Sequence, residues 1–234
     1  MHIMRTLHTA HMMTISVLNQ KGGVGKSTLS VNLAAKAHLE GKRTLVLDLD
    51  RQGSAFDWYN ARKAGSRLDG LNVVRADRAL TVPKFQDLSK GYDFIVCDGP
   101  PRLSDVTRAA AVASDVVLVP VRAGGFDWWA ASETIELLDS ADDIRGQLGR
   151  GKVRRVFVLN AATPNTRITR QALEAFGDAG GELAPVVISN RVAFAESALE
   201  GESVVSVAPN SAAADEIHRL YAILTGGEEE VRHA

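Results

Sequence analysis

The sequence has one cysteine in 234 residues, Cys97. That excludes a disulfide framework, a four-thiolate zinc site within one chain and a CxxC redox pair, and it fits a reducing cytoplasm. Cys97 itself reads as a small buried hydrophobe. Long apolar runs are missing too. The longest, 109–121, is interrupted by Ser114 and Asp115 and falls short of the roughly 18 residues a membrane span requires. The first eleven residues, MHIMRTLHTAH, hold no apolar stretch of secretory type, so no export signal is expected. Nor is there an excess of one charge. Lys+Arg number 27 and Asp+Glu 28, for a formal net charge of −1. Bulk charge therefore directs the chain toward neither nucleic acid nor an anionic membrane, and any nucleic-acid contact must come from a local patch. No Pro- or Ser-rich linker and no internal repeat is visible.

What is present is an alternation. Short apolar, β-branched runs at 14–18, 44–47, 71–74, 94–97, 116–119, 156–159 and 186–188 read as strands buried on both faces. Between them, helical patterns are expected at 26–40, 54–64, 104–113, 128–140, 167–176, 192–200 and 212–224, several opened by Ser, Thr, Asp or Asn caps. This predicts an α/β protein with a mostly parallel central sheet flanked by helices. One domain is expected over 13–225, with 1–12 an N-terminal extension and 226–234 an acidic flexible tail.

The most informative stretch is Asn19-Gln20-Lys21-Gly22-Gly23-Val24-Gly25-Lys26-Ser27-Thr28, which follows a strand pattern and opens a helix pattern. Glycines there let successive backbone N–H groups turn toward a phosphate chain, and the helix start adds unpaired donors and a positive dipole end. In such a loop Lys26 reaches the β/γ-phosphates, Ser27 offers a hydroxyl to Mg²⁺, and Thr28 bonds a phosphate oxygen nearer the nucleoside. Gly22, Gly23, Val24 and Gly25 form the cradle. Two strands end in carboxylates: Leu45-Val46-Leu47-Asp48-Leu49-Asp50, and Phe94-Ile95-Val96-Cys97-Asp98 followed by Gly99-Pro100-Pro101. An apolar run closed by Asp is by itself more often a turn aspartate; paired with the phosphate loop it is the pattern of a Mg²⁺-holding carboxylate, which points to Asp98 in that role, through a water.

Where the ordinary phosphate-loop pattern has its first glycine, this chain has Gln20, and the loop reads KGGVGKST. This resembles the deviant Walker A motif of the ParA/MinD family of phosphate-loop ATPases. The likeness runs from about residue 14 to 224 and is nearest to the short ParA-type partition ATPases, including the ParF-like subgroup. It implies the three-layer α/β/α fold, ATP and Mg²⁺ as ligands, and slow ATP hydrolysis. It also implies a sandwich homodimer, or a larger assembly, in which Lys21 crosses to the partner's nucleotide and stabilises charge as an arginine finger does. Asp48-Leu49-Asp50-Arg51-Gln52-Gly53-Ser54 is similar to the family's D-x-D-x-Q-G-S switch. Asp50 then positions the attacking water beside the metal, and Asp48 is structural; Arg51 replaces a proline frequent there. Asp98-Gly99-Pro100-Pro101 resembles its D-x-P-P switch. Asn160 matches the purine-contacting position, the alternative being an ordinary turn asparagine, and Pro209 is a second candidate for that pocket. The segment 126–133 with adjacent Trp128 and Trp129 matches the subgroup as well, and reads either as a contact surface or as packing.

Relatives of this kind bind DNA without sequence preference when ATP-loaded, and a ParB-type adaptor stimulates them. The resemblance therefore implies a nucleoid-associated cytoplasmic protein. The candidate phosphate contacts are Arg154, Arg155, Arg191 and Arg219, within a wider set that includes Arg145, Arg150, Lys152, Arg167 and Arg170; the alternative is a solvated charged face. The C-terminal Gly226-Gly227-Glu228-Glu229-Glu230 lacks the basic amphipathic helix of a membrane-positioning relative. One cysteine excludes an iron–sulfur cluster relative. Two readings stay open beside DNA segregation: positioning of a non-DNA cargo, and a metabolic enzyme resembling dethiobiotin synthetase.

Overall fold

In a computed structural model, residues 12–77, 80–102, 104–123, 125–163, 166–176 and 181–227 are described, with the backbone alone at 125–131 and 172–176. All seven apolar runs are strands: β1 (Met13–Val17), β2 (Thr44–Asp48), β3 (Asn72–Arg75), β4 (Phe94–Asp98), β5 (Val116–Val121), β6 (Arg154–Ala162) and β7 (Glu182–Ser189). They form one sheet in the order β3-β2-β4-β1-β5-β6-β7, and every pairing is parallel.

The continuous apolar runs have a direct cause: alternate residues serve two cores. Val46, Phe94, Val96, Val116, Leu118, Val156 and Val158 face one cluster, with α1 (Lys26–Leu39), α2 (Ser54–Asn60), α7 (Val192–Leu199), α8 (Val204–Val207) and α9 (Ala212–Thr225) packed over it. On the other face Leu45, Leu47, Ile95 and Cys97 meet α3 (Val82–Leu88) and α4 (Asp105–Ala113). Val117, Val119, Phe157 and Leu159 meet α4 and α5 (Gly125–Gln147) there. With both faces covered, period-two alternation of polarity disappears, as in other parallel sheets. The remaining helix, α6 (Arg167–Phe176), follows β6.

The differences from the sequence-based expectation lie in the helices. α5 runs to Gln147 rather than ending at 140, because its inward polar residues find partners. Asp142, at 9% exposure, accepts from Val153 N at 2.8 Å, and Arg145 donates to the carbonyls of Gly151 (2.7 Å), Val112 (2.9 Å) and Ser114 (2.7 Å). α2 stops at Asn60, where Arg62 turns to the carbonyls of Gly201 and Leu68. Two short helices were not expected. α3 carries Pro83 in its first turn, where a missing N–H is harmless, and Thr81 caps it. α8 is one turn closed by a Ser203/Ser206 capping box.

Met12 packs half-buried on the second face; the rest of the expected extension and residues 228–234 of the expected tail lie outside the described residues. So do the side chains of Trp128 and Trp129. No helix among the described residues is long and apolar enough to cross a membrane.

Candidate functional site

β1 lies between β4 and β5, where strand order reverses direction. The crevice at the carboxyl ends of strands beside such a switch point is where open α/β sheets bind ligands, and the chain there runs from β1 through 18–25 into α1. Two asparagines brace that loop. Asn19, 1% exposed, donates to Pro120 O on β5 (2.7 Å) and accepts from Lys21 N (2.8 Å). Asn160, 5% exposed at the end of β6, donates from Nδ2 to Val24 O (2.6 Å). Gly25 takes φ 90°, a left-handed conformation that L side chains avoid, and a Cβ there would collide with the Asn160 amide. Lys26 is buried, and its Nζ donates to Lys21 O (2.8 Å). Burial lowers its pKa while the charges of Asp98 and Asp50 oppose that.

The two acidic strand ends meet this loop. Asp98 pairs in register with Val17 of β1 on one side and with Asp48 of β2 on the other, and both carboxylates are fully buried. Ser30 Oγ donates to Asp98 Oδ1 (3.0 Å), whereas Oδ2 has no partner in hydrogen-bond geometry among the described residues. Burial pushes the Asp98 carboxyl up to about 7; the Ser27 hydroxyl beside it pulls the other way, and the nearby Asp48 charge adds to the rise. A divalent cation fits this position. An orphaned buried carboxylate oxygen beside a serine hydroxyl suits a hard ion that keeps water and phosphate oxygens for its other places. Mg²⁺ there needs no acidic cage, and among the described residues no group of three or more His, Cys, Asp or Glu is placed to hold a metal.

Asp48 organises the neighbouring turn. Its Oδ1 accepts from Asp50 N (3.1 Å) and its Oδ2 from Phe56 N in the first turn of α2 (2.9 Å). Burial raises its pKa, and those two N–H groups hold it back. Asp50 is half-buried, with Oδ1 accepting from Gln52 N (3.0 Å). It lines a cavity of about 680 Å³ with Gln52, Pro100, Pro101, Arg102 and Asp105. Pro101 also lies against the loop, its Cβ 3.7 Å from where a Cβ on Gly22 would stand. Asp98 and Asp50 act on the Lys26 charge, Ser27 lies beside Asp98 and Asn160 bonds Val24, so Asp50, Asp98 and Asn160 gather around the loop 22–28. Three contributors escaped sequence reasoning: Asn19 and Ser30 altogether, and Asp48 in its grip on the switch turn. The signal for Ser30 was its place one turn after Lys26 on the same helix.

Other expected residues stand elsewhere. Pro209 lines a separate cavity of about 820 Å³ with Lys36, Glu40, Lys42 and Tyr221. Lys36 is ten residues along α1 from Lys26, about 15 Å of helix, so this cavity extends toward the carboxyl end of α1. Arg155 is 10% exposed and held by Asp139 (2.7 Å) and Asp142 (2.6 Å), so it serves the fold rather than a nucleic-acid face. Arg154 pairs with Glu182 (2.7 Å) and donates to Ile223 O and Leu224 O at the end of α9. Both stand at the amino end of β6. Arg191, bonded to Glu216 (2.8 Å), follows the carboxyl end of β7, roughly 25–30 Å away along the strands. Arg219 is exposed. The four arginines do not make one patch. Arg145 is likewise consumed by backbone carbonyls. Cys97 is fully buried, its thiol pushed up to about 12 by that burial, as a packing residue requires.

A phosphate cradle at the head of α1, a buried carboxylate on the adjacent strand and a parallel sheet with helices on both faces define a phosphate-loop nucleotide-binding protein. Residues 15–204 match the CobQ/CobB/MinD/ParA nucleotide-binding domain, and the chain belongs to that family. It is 30% identical over 211 residues to the maintenance of carboxysome distribution protein A of Halothiobacillus neapolitanus, covering 88% of this chain and 94% of that protein. It is 31% identical over 240 residues to the chromosome-partitioning ATPase Soj of Thermus thermophilus, covering 90% and 94%. Among solved structures, an ATP complex of Cyanothece McdA superposes with a TM-score of 0.73 at 15% identity, covering 95% of this chain and 100% of that one. MinD of Aquifex aeolicus does so at 0.70 and 20% identity, covering 94% and 100%. Identities this low carry the likeness of fold.

Proposed function

We propose that this protein is a partition ATPase that binds Mg²⁺·ATP, closes into a sandwich dimer, binds DNA without sequence preference in that state, and is reset by hydrolysis when an adaptor protein stimulates it. The supporting observation is the convergence of a lysine-bearing phosphate loop with Asp98, whose buried Oδ2 has no partner in hydrogen-bond geometry among the described residues. Kinship with a chromosome-partitioning ATPase and a carboxysome-distribution protein points the same way, toward moving a cargo.

In this reading the loop N–H groups and the α1 amino end bind the triphosphate, and Lys26 leaves Lys21 O to neutralise the β/γ-phosphates. Ser27 and Asp98 hold Mg²⁺, which when bound supplies charge neutralisation across the phosphates. Asp50, fixed by its backbone bond to Asp48, orients the attacking water. Lys21 enters the partner's site and stabilises the charge on the transferred group.

Lys21→Ala is expected to lower adaptor-stimulated turnover on the order of 10³-fold while nucleotide affinity of the monomer changes little. Single-turnover hydrolysis and nucleotide titration check this, and wild-type turnover would remove Lys21 from the trans role. Asp50→Ala is expected to cut hydrolysis by about a hundredfold or more and to trap the ATP dimer, read by sedimentation after ATP addition.

DNA binding is the deciding experiment. Random-sequence duplex is expected to bind with ATP or a slowly hydrolysed analogue and not with ADP, and to weaken steeply between 50 and 200 mM salt, an assay range of the order used to count released counterions. Binding in no nucleotide state reassigns the cargo to a non-DNA assembly and leaves the ATPase reading in place.

A further inference from the structure

The Nδ2 end of the Asn160 amide is committed before any base could meet it. Val24 O can only accept, so the side chain must turn its NH₂ toward the loop, and Nδ2 does so at 2.6 Å across 136 residues of sequence. Two unusual backbone features stand at the two ends of this contact. Ala161, the next residue on β6, has φ 49°, the single non-glycine positive φ among the described residues, and the β6–β7 register shifts between Leu159 and Ala162. Non-glycine residues hold that conformation only where their surroundings enforce it. At the other end, Gly25 at φ 90° supplies the space the amide fills.

We propose that Asn160 is a positioning residue of the phosphate loop, aimed by the strained backbone at Ala161, and that it acts through Val24 irrespective of which base is bound. In a trans peptide the C=O and N–H point opposite ways. Drawing the Val24 carbonyl toward β6 therefore turns the Gly25 N–H away from β6 and across the loop. Pinning one peptide unit sets the direction of a donor that a phosphate would use, and it links the end of β6 mechanically to the head of α1. The inference rests on the nucleotide-site reading for its consequence, and on the hydrogen bond alone for its geometry.

The test begins without nucleotide. In Asn160→Ala and Asn160→Asp, amide exchange over residues 22–26 is expected to speed about three- to tenfold, the weight of one lost hydrogen bond. Asp keeps the shape but faces the carbonyl with an acceptor, so it cannot rescue. ATP and ITP, which differ at the purine 6-position, are expected to lose affinity by the same factor, again about three- to tenfold, with KM raised and kcat at saturation unchanged. Wild-type exchange in either variant, or a loss for ATP with none for ITP, overturns the proposal in favour of a base contact. If the wild-type protein binds neither nucleotide, the nucleotide reading fails while the exchange result still decides the clamp. Should the Asn160 variants not fold, Ala161→Val, which cannot hold φ 49°, is expected to loosen the loop as they would and Ala161→Gly to leave it protected. Equal exchange in those two overturns the role of the strained backbone.

Discussion

Asp98→Asn is expected to make the nucleotide-free protein more stable and to abolish Mg²⁺-dependent hydrolysis. The wild-type carboxyl is fully buried, one of its oxygens has no partner in hydrogen-bond geometry among the described residues, and Asp48 lies in register beside it. Moving it from 3.8 to about 7 means that the folded state prefers it neutral. The sign follows from linkage. Below pH 4 the group is protonated in both states and contributes no penalty; as pH rises through 7 the folded protein must hold an unfavourable charge or a proton the unfolded chain has released. Stability is therefore lost between about pH 4 and pH 7 and stays lost above. The full cost is on the order of 4 kcal/mol. An asparagine removes the charge but leaves an amide imperfectly paired, at a cost of about 1–3 kcal/mol, for a net gain of about 1–3 kcal/mol, or roughly 2–12 °C in Tm for a chain of this length. The gain should vanish near pH 4. Adding Mg²⁺ and a non-hydrolysed ATP analogue should reverse the order of the two proteins, because ligand stabilises the one that binds it. Thermal melts of both at pH 4, 6 and 8, with and without ligand, check the whole pattern. A variant less stable than wild type at pH 8 would show that Asp98 is paired in solution.

Gly25→Ala should have the second large effect, this time on binding. A left-handed φ of 90° costs an alanine about 1–3 kcal/mol, and its Cβ would occupy the position of the Asn160 amide. Either the loop moves out or Asn160 releases Val24, and both misdirect the N–H groups that a phosphate chain requires. ATP affinity is expected to fall by about a hundredfold, the combined weight of several charge-assisted bonds made poorly, while the sheet keeps its fold. Calorimetric titration reads the affinity and circular dichroism the fold. In the double variant with Asn160→Ala the collision is gone, so the two losses should not add. Strict additivity would mean that the two residues do not share the contact.

Much of this molecule follows from local sequence. A strand covered on both faces is apolar at nearly every position, so the five inner strands could be read from runs of four or five residues without any partner in view, whereas the edge strands β3 and β7, partly exposed, left runs of only four and three. The phosphate loop is equally local, since its glycines, Lys26 and Ser27 serve one backbone curl between β1 and α1. Asp98 was legible because a carboxylate closing such a strand beside such a loop has few other uses. The helix ends were less so. At α5 the expected end at 140 stops short of the polar residues Asp142 and Arg145, whose partners Val153 and the carbonyls of Val112 and Ser114 explain why the helix continues.

What tertiary structure alone decided is how distant segments use each other. Arg155 looks like a surface cation in the sequence and is consumed by Asp139 and Asp142. Asp48 and Asp98 are fifty residues apart in number and one strand apart in space, which is why the Asp48 charge adds to Asp98's cost of ionisation. Asn160 reads as a turn residue or a base contact until the fold sets its amide against Val24. Hydrophobic periodicity records whether a residue is covered, and so it determines the sheet. Hydrogen bonds and ion pairs depend on distance and direction between groups far apart in the chain, and no local period records those.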